Sequence, residues 1–229
     1  MSEGDFSMHM TPSGAFLLPQ PPNAARRIKM GVQKHFTGSL VIGDEGQVVE
    51  FESHTEKLTA LVMLARPDVV HLESQIPFGW RDQAGQEKTH TFDLRVTYVD
   101  GKRVALFVKN SREAAKAEFR AETLLIASQV TPDFADRVSL VTEKNLDPIE
   151  VYNAELLHSV RIPDPEADAA VRRVVAETSG AVKIENIVSA AGCSGRGFLA
   201  TVRMIRTHDL ELVARERIER EALVRRRIL

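Results

Sequence analysis

The sequence predicts an α/β core followed by a small, mainly helical domain. Two neighbouring segments carry the strongest evidence, since residues 91–98 and 102–109 each alternate along the chain, as strands with two different faces do. Apolar residues at helical spacing lie on either side of this pair, in residues 53–65 and 111–129. Beyond Ile149, short helical runs are separated by Pro and Gly, which indicates a change of domain.

Shorter signals predict the remaining elements of the core. Asp100-Gly101 forms a hairpin turn between the two alternating strands, and Gly43-Asp44-Glu45-Gly46 forms a turn between two earlier ones. Ser53 and Glu56 have the spacing of a capping box at the start of the first helix. Residues 69–78 and 137–142 are predicted to be extended, and residues 79–88 are predicted to form a polar loop.

The C-terminal part has the pattern of a helix-turn-helix or winged-helix domain. Its helical runs cover residues 154–159, 166–178, 184–191 and 197–207. Glu211-Leu212-Val213 is predicted as a short wing strand, and three helices with a wing favour a winged-helix-like domain. Residues 214–229 are predicted as a charged helix with intrahelical Arg–Glu ion pairs. We expect a flexible leader over residues 1–26, a core over residues 27–150 and a winged-helix-like domain over residues 151–229.

Composition limits the classes of function. The chain has 229 residues, of which 43% are hydrophobic and 27% charged, as in an ordinary globular protein, and its net charge is −2. DNA binding would therefore depend on local basic surface. No apolar run approaches the about 20 residues that span a bilayer, and no basic region precedes the N-terminal apolar patch. We therefore expect a cytoplasmic protein without membrane association. The single cysteine excludes an internal disulfide and a cysteine-based zinc site.

Asp93 and Lys109 lie on the polar faces of the two alternating strands. A carboxylate offers the oxygen ligands that Mg²⁺ requires, and a metal with a neighbouring lysine can position water and stabilise charge on a phosphate. Nucleases of the restriction-endonuclease type place Asp and Glu-x-Lys across such a hairpin. The pair alone does not specify a nuclease, because any exposed hairpin offers pairs of this kind.

The surrounding motifs resemble, in order and spacing, those of TnsA-type transposase endonucleases. The resemblance spans residues 27–158, and no single motif within it is specific to the family. The segments that carry it are Glu50-Phe51-Glu52-Ser53-His54-Thr55-Glu56, Pro67-Asp68-Val69-Val70, Glu73-Ser74-Gln75-Ile76-Pro77, Thr91-Phe92-Asp93-Leu94-Arg95-Val96, Leu106-Phe107-Val108-Lys109, Val141-Thr142-Glu143-Lys144 and Asn153-Ala154-Glu155-Leu156-Leu157-His158. The resemblance implies a restriction-endonuclease-like α/β fold, in which helices flank a mixed sheet.

In that family the subunit cuts one DNA strand at each transposon end with Mg²⁺, while a partner transposase cuts the other strand. Carried over residue by residue, the resemblance implies that Glu56 is the helix-borne acid, Asp93 the central metal ligand and Lys109 the strand lysine. Glu56 and Asp93 would then hold Mg²⁺ or Mn²⁺. The implied partners are DNA and a transposase or ATPase subunit, and a homodimer is a further expectation.

Phe107 departs from the family pattern, because it occupies the place of a Glu or Gln and a phenyl ring cannot coordinate a metal. Strand alternation directs it to the same side as Lys109. Three acids on neighbouring elements are candidate replacements, and their spacing does not select among them: Glu52, Glu113 and Glu118. The alternative hypothesis is a catalytically inactive relative that binds DNA or an assembly partner without cutting.

Several residues also have structural interpretations. Glu56 serves equally well as half of the capping box, Lys109 as the solvated end of a strand, and Gln75 as a buried amide bonded to backbone. In the C-terminal domain, the candidates for contacts with DNA phosphates are Arg196, Arg203 and Arg206. The same arginines fit a solvated face or a protein interface, and a transcriptional regulator built on this domain is a third hypothesis.

Overall fold

The computed structural model describes residues 9–10, 16–17, 36–42 and 46–227. The chain divides into two compact units, Met1–Leu146 and Asp147–Leu229. Two short strands, β1 (His9–Met10) and β2 (Phe16–Leu17), pair with each other antiparallel near the N-terminus. The rest of the predicted leader and most of the turn predicted at Gly43-Asp44-Glu45-Gly46 lie outside the described residues.

The first unit is built around a mixed four-stranded sheet. Its strands are β5 (Val69–Arg81), β6 (Glu87–Tyr98), β7 (Arg103–Val108) and β8 (Arg137–Val141), adjacent in that order. The pairs β5–β6 and β6–β7 are antiparallel, whereas the pair β7–β8 is parallel. The α/β class and the mixed sheet predicted from the sequence are therefore confirmed, and β5 and β6 extend into half of the predicted polar loop, which leaves residues 82–86 between them.

A hairpin, three α-helices and a 3-10 helix (Glu143–Asn145) complete the described part of this unit. The hairpin pairs β3 (Gly38–Ile42) with β4 (Gln47–Phe51). The helices are α1 (His54–Leu64), α2 (Ser111–Ala114) and α3 (Ala117–Ala127). The predicted helix over residues 111–129 is thus interrupted, because Lys116 adopts an extended conformation at the N-terminus of α3.

Aromatic side chains fill the space between the sheet and α3. We call this group the aromatic cluster, and its rings belong to Phe78, His90, Phe92, Phe107, Phe119 and Phe134. Ile126 of α3 and Ala105 of β7 pack into the same core. Burial of these large side chains removes apolar surface from water and so contributes to the stability of the unit.

The second unit contains four helices and a small sheet. The helices are α4 (Pro148–Ser159), α5 (Pro165–Glu177), α6 (Ile184–Ala191) and α7 (Ser194–Arg206). The strands are β9 (Ala181–Lys183), β10 (Leu210–Leu212) and β11 (Leu223–Arg226), antiparallel in the order β10-β11-β9. The four predicted helical runs and the predicted short strand are confirmed, with ends that differ by a few residues.

The predicted charged helix over residues 214–229 is wrong. A loop follows β10 and leads into β11, where the side chain of Val224 is fully buried. Three charges of the loop pair with other elements instead of with each other: Arg215 with Asp147, Arg220 with Glu185 and Glu221 with Lys183. Tertiary ion pairs and burial therefore replace the intrahelical pairs that the Arg and Glu spacing predicts.

No helix within the described residues is both long and apolar enough to cross a lipid bilayer.

Candidate active site

Glu56 is buried at the N-terminus of α1, with 6% of its surface exposed. Its backbone N–H donates to the Ser53 hydroxyl oxygen (3.1 Å), which caps the helix as predicted. Its carboxylate accepts from the Ser53 hydroxyl and from the Glu52 backbone N–H, each at 2.8 Å. Burial raises the pKa of Glu56 above its usual value, although these two hydrogen bonds favour the ionised form. The capping interpretation is thus confirmed, and it leaves a buried acid at the helix end.

Asp93 reaches the strand beside its own. The β6–β7 pairing ends at Leu94 and Leu106, and beyond it Asp93 Oδ2 accepts from the Val108 backbone N–H at 2.7 Å. Burial, followed by the negative charge of Glu56, raises the pKa of Asp93 to about 7. The side chain of Asp93 therefore continues the hydrogen bonding of β7 beyond the last backbone pair. Its carboxyl group also interacts with a second buried acid, Glu56.

Lys109 follows directly after β7. Its backbone N–H donates to the Val141 carbonyl oxygen of β8 (3.0 Å), which fixes the chain at the end of the sheet. Burial is the largest influence on the pKa of Glu56 and of Asp93, and it raises both values. The positive charge of Lys109 lowers the pKa of both acids. The structure therefore brings together the three residues that the sequence analysis selected, from a helix, a strand and the end of the next strand.

Among the three candidate replacement acids, the charge of Glu52 acts on the two buried acids of the site. Its charge adds to burial in raising the pKa of both Glu56 and Asp93. Glu113 instead pairs with Lys116 at 2.7 Å, and the side chain of Glu118 is exposed in the first turn of α3. Sequence spacing gave no preference for Glu52, because the effect of its charge on Glu56 and Asp93 depends on how α1 packs on the sheet.

Phe107 belongs to the aromatic cluster. Its ring centre lies 4.7 Å from that of Phe92, 4.8 Å from that of His90 and 6.4 Å from that of Phe119, and the residue is 3% exposed. The side chain is therefore part of the core between the sheet and α3. A carboxylate at this position would enter an apolar environment, where an unpaired charge is costly.

The two buried acids are the donors available for a metal ion. Within the described part of the chain, no group of three or more His, Cys, Asp or Glu side chains is arranged to hold a metal. Mg²⁺ commonly binds to one or two carboxylates and takes its other ligands from water and phosphate oxygens. Glu56 and Asp93 fit this mode, because both are largely buried and the charge of Glu56 raises the pKa of Asp93, so that a cation would relieve this repulsion.

The arginines selected in the second unit are largely engaged within it. Arg196 pairs with Asp164 (2.7 Å) and Glu166 (2.8 Å), and it holds the pKa of Asp164 at about 2. Arg203 pairs with Asp168 at 2.7 Å, and only 13% of its side chain is exposed. Arg206 lies in the last turn of α7 and is partly buried.

Residues 147–229 carry 13 basic and 13 acidic side chains, so this unit has no net charge. Because its net charge is zero, the unit does not attract DNA through an overall positive charge. Arg196 and Arg203 are moreover neutralised by the acidic side chains at the start of α5.

No protein-family model matches this sequence, and no curated protein matches it either.

Proposed function

We propose that this chain is a DNA-binding protein of the TnsA endonuclease type, and that it cleaves a DNA strand with Mg²⁺ or Mn²⁺ at Glu56, Asp93 and Lys109. One observation carries the proposal: these residues lie 37 and 16 positions apart along the chain, yet each affects the ionisation of the site. Buried acids with raised pKa beside a lysine are enriched at catalytic sites.

Each residue has a role that its surroundings support. Glu56 and Asp93 would hold the metal ion, which supplies an activated water and stabilises charge on the phosphate. The hydrogen bonds from Ser53 and Val108 fix the two carboxylates in place. Lys109 favours their ionised forms and offers a cation for the phosphate that carries the scissile bond.

The architecture is consistent with this proposal. A mixed sheet with helices on its faces is the expected core of a restriction-endonuclease-like domain. In the second unit, α5, β9, α6, α7, β10 and β11 follow one another in the order of a winged helix, with α7 as the second helix of a helix-turn-helix. As the resemblance implies, we propose that the protein is cytoplasmic. Its proposed partners are DNA, a transposase or ATPase subunit and a second copy of itself.

Nicking of supercoiled plasmid tests the proposal. Wild-type protein is incubated with Mg²⁺, Mn²⁺ or EDTA, and the variants are Asp93→Asn, Glu56→Gln and Lys109→Met. Asp100→Asn is the matched control, because Asp100 is an exposed acid at the β6–β7 turn, where it pairs with Lys102. We expect metal-dependent nicking by wild type and by the control, and a loss of at least 100-fold in the three site variants.

A second candidate function is DNA binding without cleavage. The observation that favours it is Phe107, which fills the place of the second acid with a ring buried in the aromatic cluster. This candidate predicts no nicking with either metal, while DNA affinity remains measurable by electrophoretic mobility shift and falls with rising salt. Nicking that depends on both Asp93 and Lys109 would eliminate it.

A further inference from the structure

Many basic side chains of the second unit are used within it. Ion pairs with acids of the same unit engage Lys183, Arg196, Arg203, Arg215, Arg220 and Arg225. Arginines of this unit that have no acidic partner among the described residues are Arg172, Arg173, Arg206, Arg226 and Arg227. These five are therefore its candidates for binding an external anion.

Three of the five arginines lie at one end of the small sheet. Arg226 is the last residue of β11 and pairs with Leu210, the first residue of β10. The backbone N–H of Arg227 donates to the carbonyl oxygen of Asp209 at 3.1 Å. Arg206 ends α7, directly before the turn that leads into β10. We call Arg206, Arg226 and Arg227 the arginine cluster, in which the last two are exposed and the first is partly buried.

The turn between α7 and β10 has a fixed geometry. The Asp209 N–H donates to the Met204 carbonyl oxygen (2.9 Å) and the His208 N–H to that of Ile205 (3.1 Å). These are the two hydrogen bonds of a Schellman motif, and His208 has the left-handed backbone that the motif requires, with a φ of 62°. The end of α7 and the start of β10 are thus held together, and with them the parts of the arginine cluster.

The charges of the cluster act on one side chain in this turn. Burial lowers the pKa of His208, and the positive charges of Arg227 and then of Arg206 lower it further. The negative charge of Asp209 acts in the opposite direction, and its carboxylate accepts from the Thr207 hydroxyl at 2.7 Å. One acid does not balance three arginines, so this end of the sheet has an excess of positive charge.

The cluster extends around the edge of the sheet. Successive side chains at the end of a strand point to opposite faces, so Arg226 and Arg227 present their guanidinium groups on both sides. The unit as a whole has equal numbers of basic and acidic residues. A local excess of unpaired arginines on a neutral unit attracts a polyanion at that place and not over the whole surface.

We propose that the arginine cluster binds the phosphate backbone of double-stranded DNA. A guanidinium group remains charged at physiological pH and donates two parallel hydrogen bonds to phosphate oxygens. The cluster lies at the C-terminal end of α7, the second helix of the helix-turn-helix. The choice of DNA over other polyanions rests on the proposed function. Of the three arginines that the sequence suggested for DNA, this assignment keeps Arg206 and replaces the ion-paired Arg196 and Arg203 by Arg226 and Arg227.

Fluorescence anisotropy with a short labelled DNA duplex tests the proposal on the full chain, in EDTA and over a range of salt concentrations. The test variant carries Arg226→Gln and Arg227→Gln together. The matched control carries Arg172→Gln and Arg173→Gln, because these neighbouring arginines of α5 are also exposed and without an acidic partner. Both variants lose two positive charges from the same unit, so only position distinguishes them.

We expect the test variant to bind roughly tenfold more weakly than wild type at low salt, with a slope of log affinity against log salt that is smaller by about two. The control should bind as wild type does. Arg206→Gln should weaken binding in the same direction as the test variant. The thermal midpoint of each variant is measured alongside, and it should remain that of wild type because none of the substituted arginines has an acidic partner to lose.

Equal losses in the test and control variants would overturn the proposal, because total charge would then explain binding. Affinities of the test variant and of Arg206→Gln equal to that of wild type would overturn it as well. Single-stranded RNA of the same length and vesicles of anionic phospholipid are the competing probes. Tighter binding of either probe than of duplex DNA through the same arginines would also contradict it.

The plasmid assay separates this proposal from the proposed function. If wild type nicks plasmid and the test variant binds DNA as wild type does, the inference fails and the endonuclease stands. If wild type binds duplex DNA through the cluster and does not nick, the inference holds and the endonuclease fails. Wild type that neither binds nor nicks DNA overturns both.

Discussion

Replacing Asp93 by Asn should stabilise the protein at and above neutral pH. The asparagine Oδ1 can still accept from the Val108 N–H, so the hydrogen bond at the end of the β6–β7 ladder is retained. What the substitution removes is a negative charge that is buried next to Glu56. A residue placed for metal binding is expected to carry such a cost to stability.

The magnitude follows from the raised pKa. Asp93 titrates at about 7 in the folded protein and at 3.8 without its surroundings. A raised pKa favours folding fully below the unfolded value, and this contribution is lost as the pH rises through the folded value. At about 1.4 kcal/mol per unit, Asp93→Asn should raise the free energy of unfolding, relative to wild type, by about 1.6 kcal/mol at pH 5 and by at most about 4 kcal/mol at pH 8.

Urea denaturation of both proteins at pH 5 and pH 8 measures this difference. Asp100→Asn serves as the control, because that acid is exposed and its pKa is lowered by Lys102, so it should not stabilise the protein at pH 8. Asp93→Ala should be less stable than Asp93→Asn at both pH values, since it leaves the Val108 N–H without an acceptor. If Asp93→Asn gives the same difference at both pH values, or is destabilising at pH 8, the assignment of a buried, charged Asp93 is refuted.

Three further predictions follow from the packing. Phe107→Glu should lower the free energy of unfolding by about 4 kcal/mol or more and should not nick faster than wild type, because it places a charge among aromatic rings; a variant as stable as wild type in urea, or one that nicks plasmid faster, would contradict this. Ser53→Ala should cost about 1 kcal/mol and raise the pKa of Glu56 further, as urea denaturation and NMR titration can show; an unchanged pKa would rule out the hydroxyl contact. A double-mutant cycle with Arg203→Met and Asp168→Asn should give a coupling of about 1 to 2 kcal/mol in unfolding, and no coupling would mean that the ion pair is absent in solution.

Local pattern was enough to predict most of the secondary structure. Alternation identified β6 and β7, and the spacing of apolar residues identified α6 to the residue. These signals are local, because a half-buried strand or helix must repeat its apolar residues with the period of its own backbone. Ser53 and Glu56 were likewise found from spacing, since a capping box is a contact across three residues.

Contacts between distant residues caused the errors. The charged segment after β10 has a helical pattern, but Arg215 and Arg220 find their partners 68 and 35 residues away, in Asp147 and Glu185. Similarly, Arg196 and Arg203 suggested a DNA surface because their acidic partners on α5 are not adjacent in sequence. Such pairs depend on packing, which a single sequence does not display.

The candidate site was only partly accessible from the sequence. The order of motifs selected Glu56, Asp93 and Lys109, and the structure places them in one electrostatic environment. The environment of Phe107 depends on which face of the sheet α3 covers, and Gln75 has a left-handed backbone, with a φ of 55°. Neither property leaves a recognisable signal in the order of residues.

The central claim is that Glu56 and Asp93 together hold a divalent cation. Titration of Mn²⁺, followed by its effect on water proton relaxation, tests this directly in wild type and in Glu56→Gln, Asp93→Asn and Asp100→Asn, with and without a DNA duplex. We predict binding to wild type and to Asp100→Asn, and affinities at least tenfold weaker for both site variants. Binding that is unaffected by either site substitution, or no binding to wild type even with DNA present, would contradict the account.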